Sequence, residues 1–266
     1  SILDQAAILE AMEGCDYVVH MAAFLGVYLS SNNALECLDV NIMGTRNVLD
    51  LAVACGANRF LLTSSGAVYG VQPPHLNLIP EDWHGMPDAL NPDNAYGVAK
   101  RAAEHLCALY GQSYGLQTVI ARCFAFVGPD LPLDVHFAIG NFIRDALWRE
   151  EITVAGDGSP LRSYLDQQDL ALWLLALMEQ GVAGQAYNVG SDQPISIADL
   201  AHLVRDIVAP RKKVHIHSAT NGCNERNIYV PSIQKARNQL GLDVRVSLEK
   251  AIKAIANPAM NCISQT

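Results

Sequence analysis

Short apolar runs alternate with longer stretches whose apolar residues recur at helical spacing. Asp16-Tyr-Val-Val-His-Met-Ala-Ala23 is a continuous run rich in β-branched residues, the form of a strand buried on both faces of a parallel sheet. Over 34–54 the apolar positions fall at helical spacing, and Gly56 follows as the expected C-cap. Arg59-Phe-Leu-Leu-Thr63 predicts a second buried strand, which Ser64-Ser-Gly-Ala-Val-Tyr-Gly70 leaves at its C-terminal end. A loop rich in Pro and Asn spans 71–94, then a helix is predicted over 95–114 and a strand over 117–121. This alternation implies right-handed βαβ units, an α/β chain and a doubly wound parallel sheet. Ligands of such sheets sit at the carboxyl ends of the strands, where Ser65, the start of the 95–114 helix and the loop from Arg122 to Gly128 all fall.

Beyond Pro129 the texture becomes mixed. Helices are predicted near 138–149, 169–179, 196–208, 232–240 and 247–255, with strands at 152–155, 186–189 and 214–217. This half reads as a smaller mixed α/β lobe, some of whose segments return to the sheet.

With 266 residues, half of them hydrophobic, the chain can bury a large core. A net charge of -9 and no basic run longer than Arg211-Lys212-Lys213 leave no footprint for nucleic acid. No apolar stretch reaches membrane-spanning length. The seven cysteines are scattered without a C-x-x-C, so reduced thiols in a cytoplasmic protein are expected and a metal site is not. His20 reads as a satisfied strand residue rather than a ligand.

The sharpest chemical signal is Tyr96-Gly-Val-Ala-Lys100. Residues four apart on a helix emerge on one face, and a nearby ammonium would bring a phenol of ordinary pKa toward working range for proton transfer. The pair alone is weak. It stands in order with Val18-Val-His-Met-Ala-Ala23, Val40-Asn41 with Gly44-Thr45, Thr63-Ser64-Ser65 with Val68-Tyr69-Gly70, Arg122 through Gly128-Pro129, Gly156-Asp-Gly158 with Arg162, and Tyr187-Asn-Val-Gly190. Together these resemble the extended short-chain dehydrogenases/reductases of the NAD-dependent epimerase/dehydratase family, over essentially the whole chain.

The resemblance implies a Rossmann-like dinucleotide-binding domain over 1–130 and a substrate-binding lobe over 131–266. It implies NAD or NADP as cofactor, a nucleotide-diphosphate sugar as substrate, and a homodimer paired through the helices near 34–54 and 95–114. Ser65, Tyr96 and Lys100 align with the catalytic Ser/Thr, Tyr and Lys. Ala22, Ala23, Asn41, Thr63, Ser64, Tyr96, Lys100, Cys123 and Phe124 fall where such enzymes hold the dinucleotide. Ser65, Ala125 and Arg162 fall where they hold the sugar nucleotide, Arg162 against its diphosphate, with Arg226 a looser second phosphate clamp. Core packing explains Phe124, and tight helix-sheet packing explains Ala22 and Ala23, on sequence alone. Salt bridges compete for both arginines.

Three departures narrow the reaction. Gly66 and Ala67 follow Ser65, where sugar dehydratases and decarboxylases of the family carry an acid, so neither position here can transfer a proton. That favours epimerisation or 4-keto reduction over 4,6-dehydration. Ala125 replaces a substrate-binding asparagine, and Ser163 and Gln168 replace acidic residues. Finally, no G-x-x-G-x-x-G occurs anywhere in the chain, so the expectation is that the pyrophosphate loop of the relatives, with its two strand-helix units, belongs to sequence ahead of Ser1. A reading of another class, a non-catalytic protein that keeps the scaffold without the cofactor, stands beside these.

Overall fold

The fold follows the predicted alternation, with short additions. The computed structural model describes residues 1–24, 33–134, 137–217 and 227–263; the candidate Arg226 lies outside the described residues. Helix α1 (Gln5–Met12), absent from the sequence expectation, starts at Asp4, whose carboxylate accepts from the Ala7 amide at 3.2 Å. Strand β1 (Tyr17–His20), helix α2 (Ala34–Leu38), a π-helical turn (Asp39–Gly44) and helix α3 (Thr45–Ala54) follow. Then come β2 (Arg59–Ser65), a 3-10 turn (Gly66–Tyr69), α4 (Ala95–Tyr114) and β3 (Gln117–Cys123). The lobe contains β4 (Phe126–Val127), α5 (Ala138–Trp148), β5 (Ile152–Val154), β6 (Leu161–Arg162) and β7 (Leu165–Asp166). It continues through α6 (Gln167–Gln180), β8 (Ala186–Val189), β9 (Ile195–Ser196) and α7 (Ile197–Val208). The chain closes with β10 (Val214–Ile216), β11 (Ile228–Tyr229), α8 (Gln234–Leu240) and α9 (Leu248–Ile263).

A four-stranded parallel sheet in the order β1-β2-β3-β8 is the frame. Side chains alternate along β2, so Phe60 and Leu62 pack with Val48, Leu49 and Ala103 on one face, while Leu61 packs with Trp173, Leu174 and Leu177 on the other. The sheet is thus covered by α1, α3 and α4 on one side and by α6 and α8 on the other, the layered plan of a doubly wound fold. A separate core joins α5, α7, α9 and β5 through Ile139, Ile143, Leu200 and Ile252. Among the described residues no helix is long and apolar enough to cross a membrane.

Two expectations are corrected. The 16–23 run is not buried on both faces: Val18 and His20 face the core, but Tyr17 and Val19 are 63% and 44% exposed. The reason is position, because β1 ends the sheet order and α6 and α8 lie over β2, β3 and β8. Nor is 34–54 one continuous helix. Its middle widens into the π-helical turn, in which Asn41 is buried and donates from Nδ2 to the Cys37 and Phe24 carbonyls, each at 2.9 Å. Apolar spacing cannot register one inserted residue that leaves the same face inward.

Candidate active site

The site is built at the C-terminal end of β2. Ser65 leaves the strand and caps the 3-10 turn, its Oγ accepting from the Ala67 amide at 3.1 Å. Helix α4 meets this turn at Gly97, where a Cβ would stand 2.7 Å from the Ala67 carbonyl oxygen. The missing side chain lets the first turn of α4 approach the loop and brings Tyr96 to Ser65. Lys100, one turn on and 2% exposed, sets its Nζ 5.9 Å from the Tyr96 ring centroid and donates to the Thr63 carbonyl at 2.9 Å. The structure therefore brings Ser65, Tyr96 and Lys100 together from β2 and α4.

Their ionisation is set mainly by burial. The Tyr96 phenol is pushed up to about 12 by burial, with a hydrogen bond from Ser65 acting in the opposite direction. The Lys100 ammonium is brought down to about 8, again by burial. The expected lowering of Tyr96 by Lys100 is not met in this structure: burial dominates, and Lys100 is not among the groups that shift the phenol. At neutral pH the pair is a neutral phenol beside a charged amine.

The other candidates divide. Ala22 and Ala23 follow the C-terminal end of β1, exposed and half-buried respectively. Asn41 reaches the same end through Phe24, and its buried Oδ1 has no hydrogen-bond partner among the described residues. An orphaned acceptor beside Lys100 and two small residues suits the nicotinamide-ribose half of a dinucleotide. Ser64 points elsewhere, donating to Glu104 Oε1 at 2.6 Å, and Thr63 donates from its hydroxyl to the His20 carbonyl at 3.1 Å. Cys123 lies opposite Ser65 in the β2-β3 register, with a thiol pushed up to about 12 by burial. Phe124 is buried between Tyr69 and Tyr229, its ring centroid 6.3 Å and 4.7 Å from theirs. Ala125 is half-buried and its carbonyl accepts from the Leu165 amide at 3.0 Å.

Arg162 approaches the site from β6, its guanidinium 6.0 Å from the Tyr229 ring centroid. Its hydrogen bonds run from Nη1 to the Leu161 and Asn227 carbonyls and to Asn227 Oδ1, all neutral oxygens. Among the described residues it has no carboxylate partner. Half-buried and uncompensated, it has its pKa lowered by burial. Tyr229 itself escaped the sequence reading, since it belongs to no motif and stands far from Tyr96 in the chain.

His20, facing the same core, is held by Thr45. The Thr45 hydroxyl donates to the Asn41 carbonyl at 2.7 Å and stands 3.0 Å from His20 Nε2, so His20 Nε2–H is the donor of that pair. Burial, with the Lys100 charge second, lowers His20 to about 4. The folded pKa lies below the unfolded value, so its contribution is present above about 6.5 and lost as pH falls through 4. Stability is expected to drop by about 2 kcal/mol between pH 7 and 5 from this group, and His20→Gln should flatten that slope in urea titrations. Equal slopes in both proteins would contradict it.

With this geometry in hand, comparison with known proteins is decisive. A model of the NAD dependent epimerase/dehydratase family matches residues 1–190. The chain belongs to that family. UDP-glucuronic acid decarboxylase 1 of Arabidopsis thaliana is 31% identical over 248 residues, covering 93% of this chain and 56% of the relative. The chain thus spans little more than half the length of that relative. Among solved structures, RMD from Pseudomonas aeruginosa complexed with NADPH superposes with a TM-score of 0.87 at 27% identity, covering 98% of this chain and 87% of that one. UDP-glucose 4-epimerase from Thermotoga maritima, solved with UDP-glucose, gives 0.86 at 25% identity, covering 99% and 84%.

Proposed function

We propose that this chain carries the catalytic centre of an NAD(P)-dependent enzyme that epimerises, or reduces a 4-keto group of, a nucleotide-diphosphate sugar. The observation that supports it most is the meeting of Ser65, Tyr96 and Lys100 at the end of β2 next to a turn, Gly66-Ala67, that offers no acid or base. A dinucleotide bound near Ala22, Ala23, Asn41 and Lys100 supplies a hydride acceptor or donor. Tyr96, neutral at rest, gives its proton to a sugar carbonyl oxygen as that carbon is reduced. The phenolate left behind is held by the Ser65 hydroxyl and the Lys100 charge. In the reverse direction the phenolate takes the hydroxyl proton.

Arg162 serves this reading as the diphosphate clamp, because a half-buried guanidinium whose partners among the described residues are neutral oxygens gains most from a phosphate. Arg162→Ala is expected to raise KM for the sugar nucleotide about 10- to 100-fold, the equivalent of about 1.5–3 kcal/mol for a charged hydrogen bond. An unchanged KM would remove it from the site. The reading also includes a homodimer through α2, the π-helical turn, α3 and α4, supported by Leu35, Met43 and Leu109, which these segments leave exposed. Light scattering should give twice the chain mass, and a monomer at micromolar concentration would count against it.

The function itself is tested by incubating the full-length protein with UDP- and dTDP-sugars, following absorbance at 340 nm together with sugar products. Internal recycling of a tightly held dinucleotide marks the epimerase, and released NADP the reductase. No turnover of any nucleotide sugar, with no dinucleotide found by mass spectrometry, would favour a non-catalytic protein instead.

A further inference from the structure

The outward face of β10 carries two imidazoles side by side. His215 and His217 stand two residues apart on the strand, so both project from the face opposite Val214, which packs into the core of α5, α7 and β5. Their ring centroids lie 4.8 Å apart with the planes at 85°. Both residues are exposed, and among the described residues neither ring makes a hydrogen bond. The ring nitrogens are therefore free for a ligand from solution.

The separation is the one that a single metal ion imposes. An imidazole nitrogen binds Zn²⁺ at about 2.0–2.1 Å, and two such rings meeting one ion at about 90–110° have their centroids about 4.5–5 Å apart. Closing such a chelate needs only rotation of the exposed rings, because the backbone is already held: β5 pairing sets His215 beside Thr153, and the His217 amide donates to the Val154 carbonyl at 3.1 Å. We propose that His215 and His217 form a two-histidine site for a divalent transition ion of the Zn²⁺, Ni²⁺ and Cu²⁺ class, with water completing the coordination sphere. Imidazole selects these ions over Mg²⁺ and Ca²⁺, which take oxygen ligands. No group of three His, Cys, Asp or Glu side chains able to hold a metal occurs among the described residues, so the site has two protein ligands and exchanges its ion with solvent. Lys213 and Glu151, exposed one step before the paired residues of β10 and β5, share this face, and their opposite charges leave it close to neutral toward an incoming cation. The expectation of no metal site rested on the scattered cysteines, whereas His215-Ile-His217 becomes a pair only once β10 is placed.

The probe is Ni²⁺ alone, added to the full chain after treatment with EDTA and desalting. The ring 13Cε1–1H signals of His215 and His217 are assigned by their loss in His215→Gln and His217→Gln, exposed positions at which the metal-free melting curve should not change. Substoichiometric Ni²⁺ is paramagnetic and should broaden these two signals before those of the other histidines. In His215→Gln the remaining His217 signal should lose that priority, and calorimetric titration should show Ni²⁺ bound about tenfold or more weakly in either variant, the least that disturbing a metal ligand costs. Chelation needs the extended backbone of 215–217, so Ni²⁺ should also raise the melting temperature of the parent and not of the variants. Broadening spread evenly over the histidines would overturn the proposal, as would unchanged Ni²⁺ affinity in both variants. If His217 broadens as readily in His215→Gln as in the parent, the rings bind singly and the chelate is overturned as well.

Discussion

Tyr96→Phe is expected to lower kcat by about 10³-fold or more, within the range for loss of a positioned general acid-base group. The phenol is the proton carrier that α4 presents beside Ser65, while Lys100, the other, is occupied by the Thr63 carbonyl at 2.9 Å. The substitution keeps the ring and removes one hydroxyl, so the melting temperature should stay within a few degrees. KM should hardly move, because the phenol acts on a developing charge rather than on the diphosphate. Steady-state kinetics with the sugar nucleotide that the full-length enzyme turns over checks this. A variant keeping more than about a tenth of kcat would remove Tyr96 from the proton transfer.

The second large effect lies behind the site. Arg122 on β3 makes a two-pronged ion pair with Glu104 on α4, at 3.0 Å and 2.8 Å, and Glu104 also accepts from Ser64 at 2.6 Å. Arg122 extends to the Tyr69 hydroxyl at 2.9 Å and the Glu81 carbonyl at 3.1 Å, and Tyr69 donates to Asn188 Oδ1 at 2.8 Å. Burial acts to lower the Arg122 pKa, but hydrogen bonds and the charge of Glu104 raise it above its ordinary value. Both side chains are only about 15% exposed, so Glu104→Ala would strand a buried guanidinium. A loss of about 3–5 kcal/mol is expected in urea unfolding. Replacing both partners by apolar residues should recover much of it, since the cost is mainly that of the unpaired charge. A single-variant loss under about 1 kcal/mol would mean that water already reaches Arg122.

The sheet and the α4 centre were legible because each leaves a periodic or local signal. The predicted 95–114 and 186–189 segments coincide with α4 and β8, and the Ser-Tyr-Lys residues are spaced by one strand end and one helical turn. What escaped is non-local. The two-residue strands β4, β6, β7, β9 and β11 are too short for an apolar period, and exist because each finds a partner elsewhere in the lobe. Tyr229 is invisible for the same reason: a tyrosine in a short strand acquires meaning only once folding sets it against Gly66. Sequence did supply the other half of that contact, since Gly66 and Ala67 stood out as lacking an acid. The structure adds why residue 66 is glycine: a Cβ there would stand 2.6 Å from the Tyr229 hydroxyl oxygen.

The central claim is a reaction of one hydride and one proton without elimination, and the isotope content of the product tests it most directly. Elimination or decarboxylation passes through loss or replacement of a bond at carbon 5 or 6 and takes a solvent hydrogen into the product there. Epimerisation or 4-keto reduction leaves those carbons untouched. The full-length enzyme is run to completion in D2O on UDP-glucose, UDP-glucuronate and a dTDP-4-keto sugar, and the isolated products are read by proton NMR. The account predicts products with full proton intensity at carbon 5, and at carbon 6 wherever the substrate carries hydrogen there. Solvent deuterium at either carbon, above that of an enzyme-free control, would contradict it.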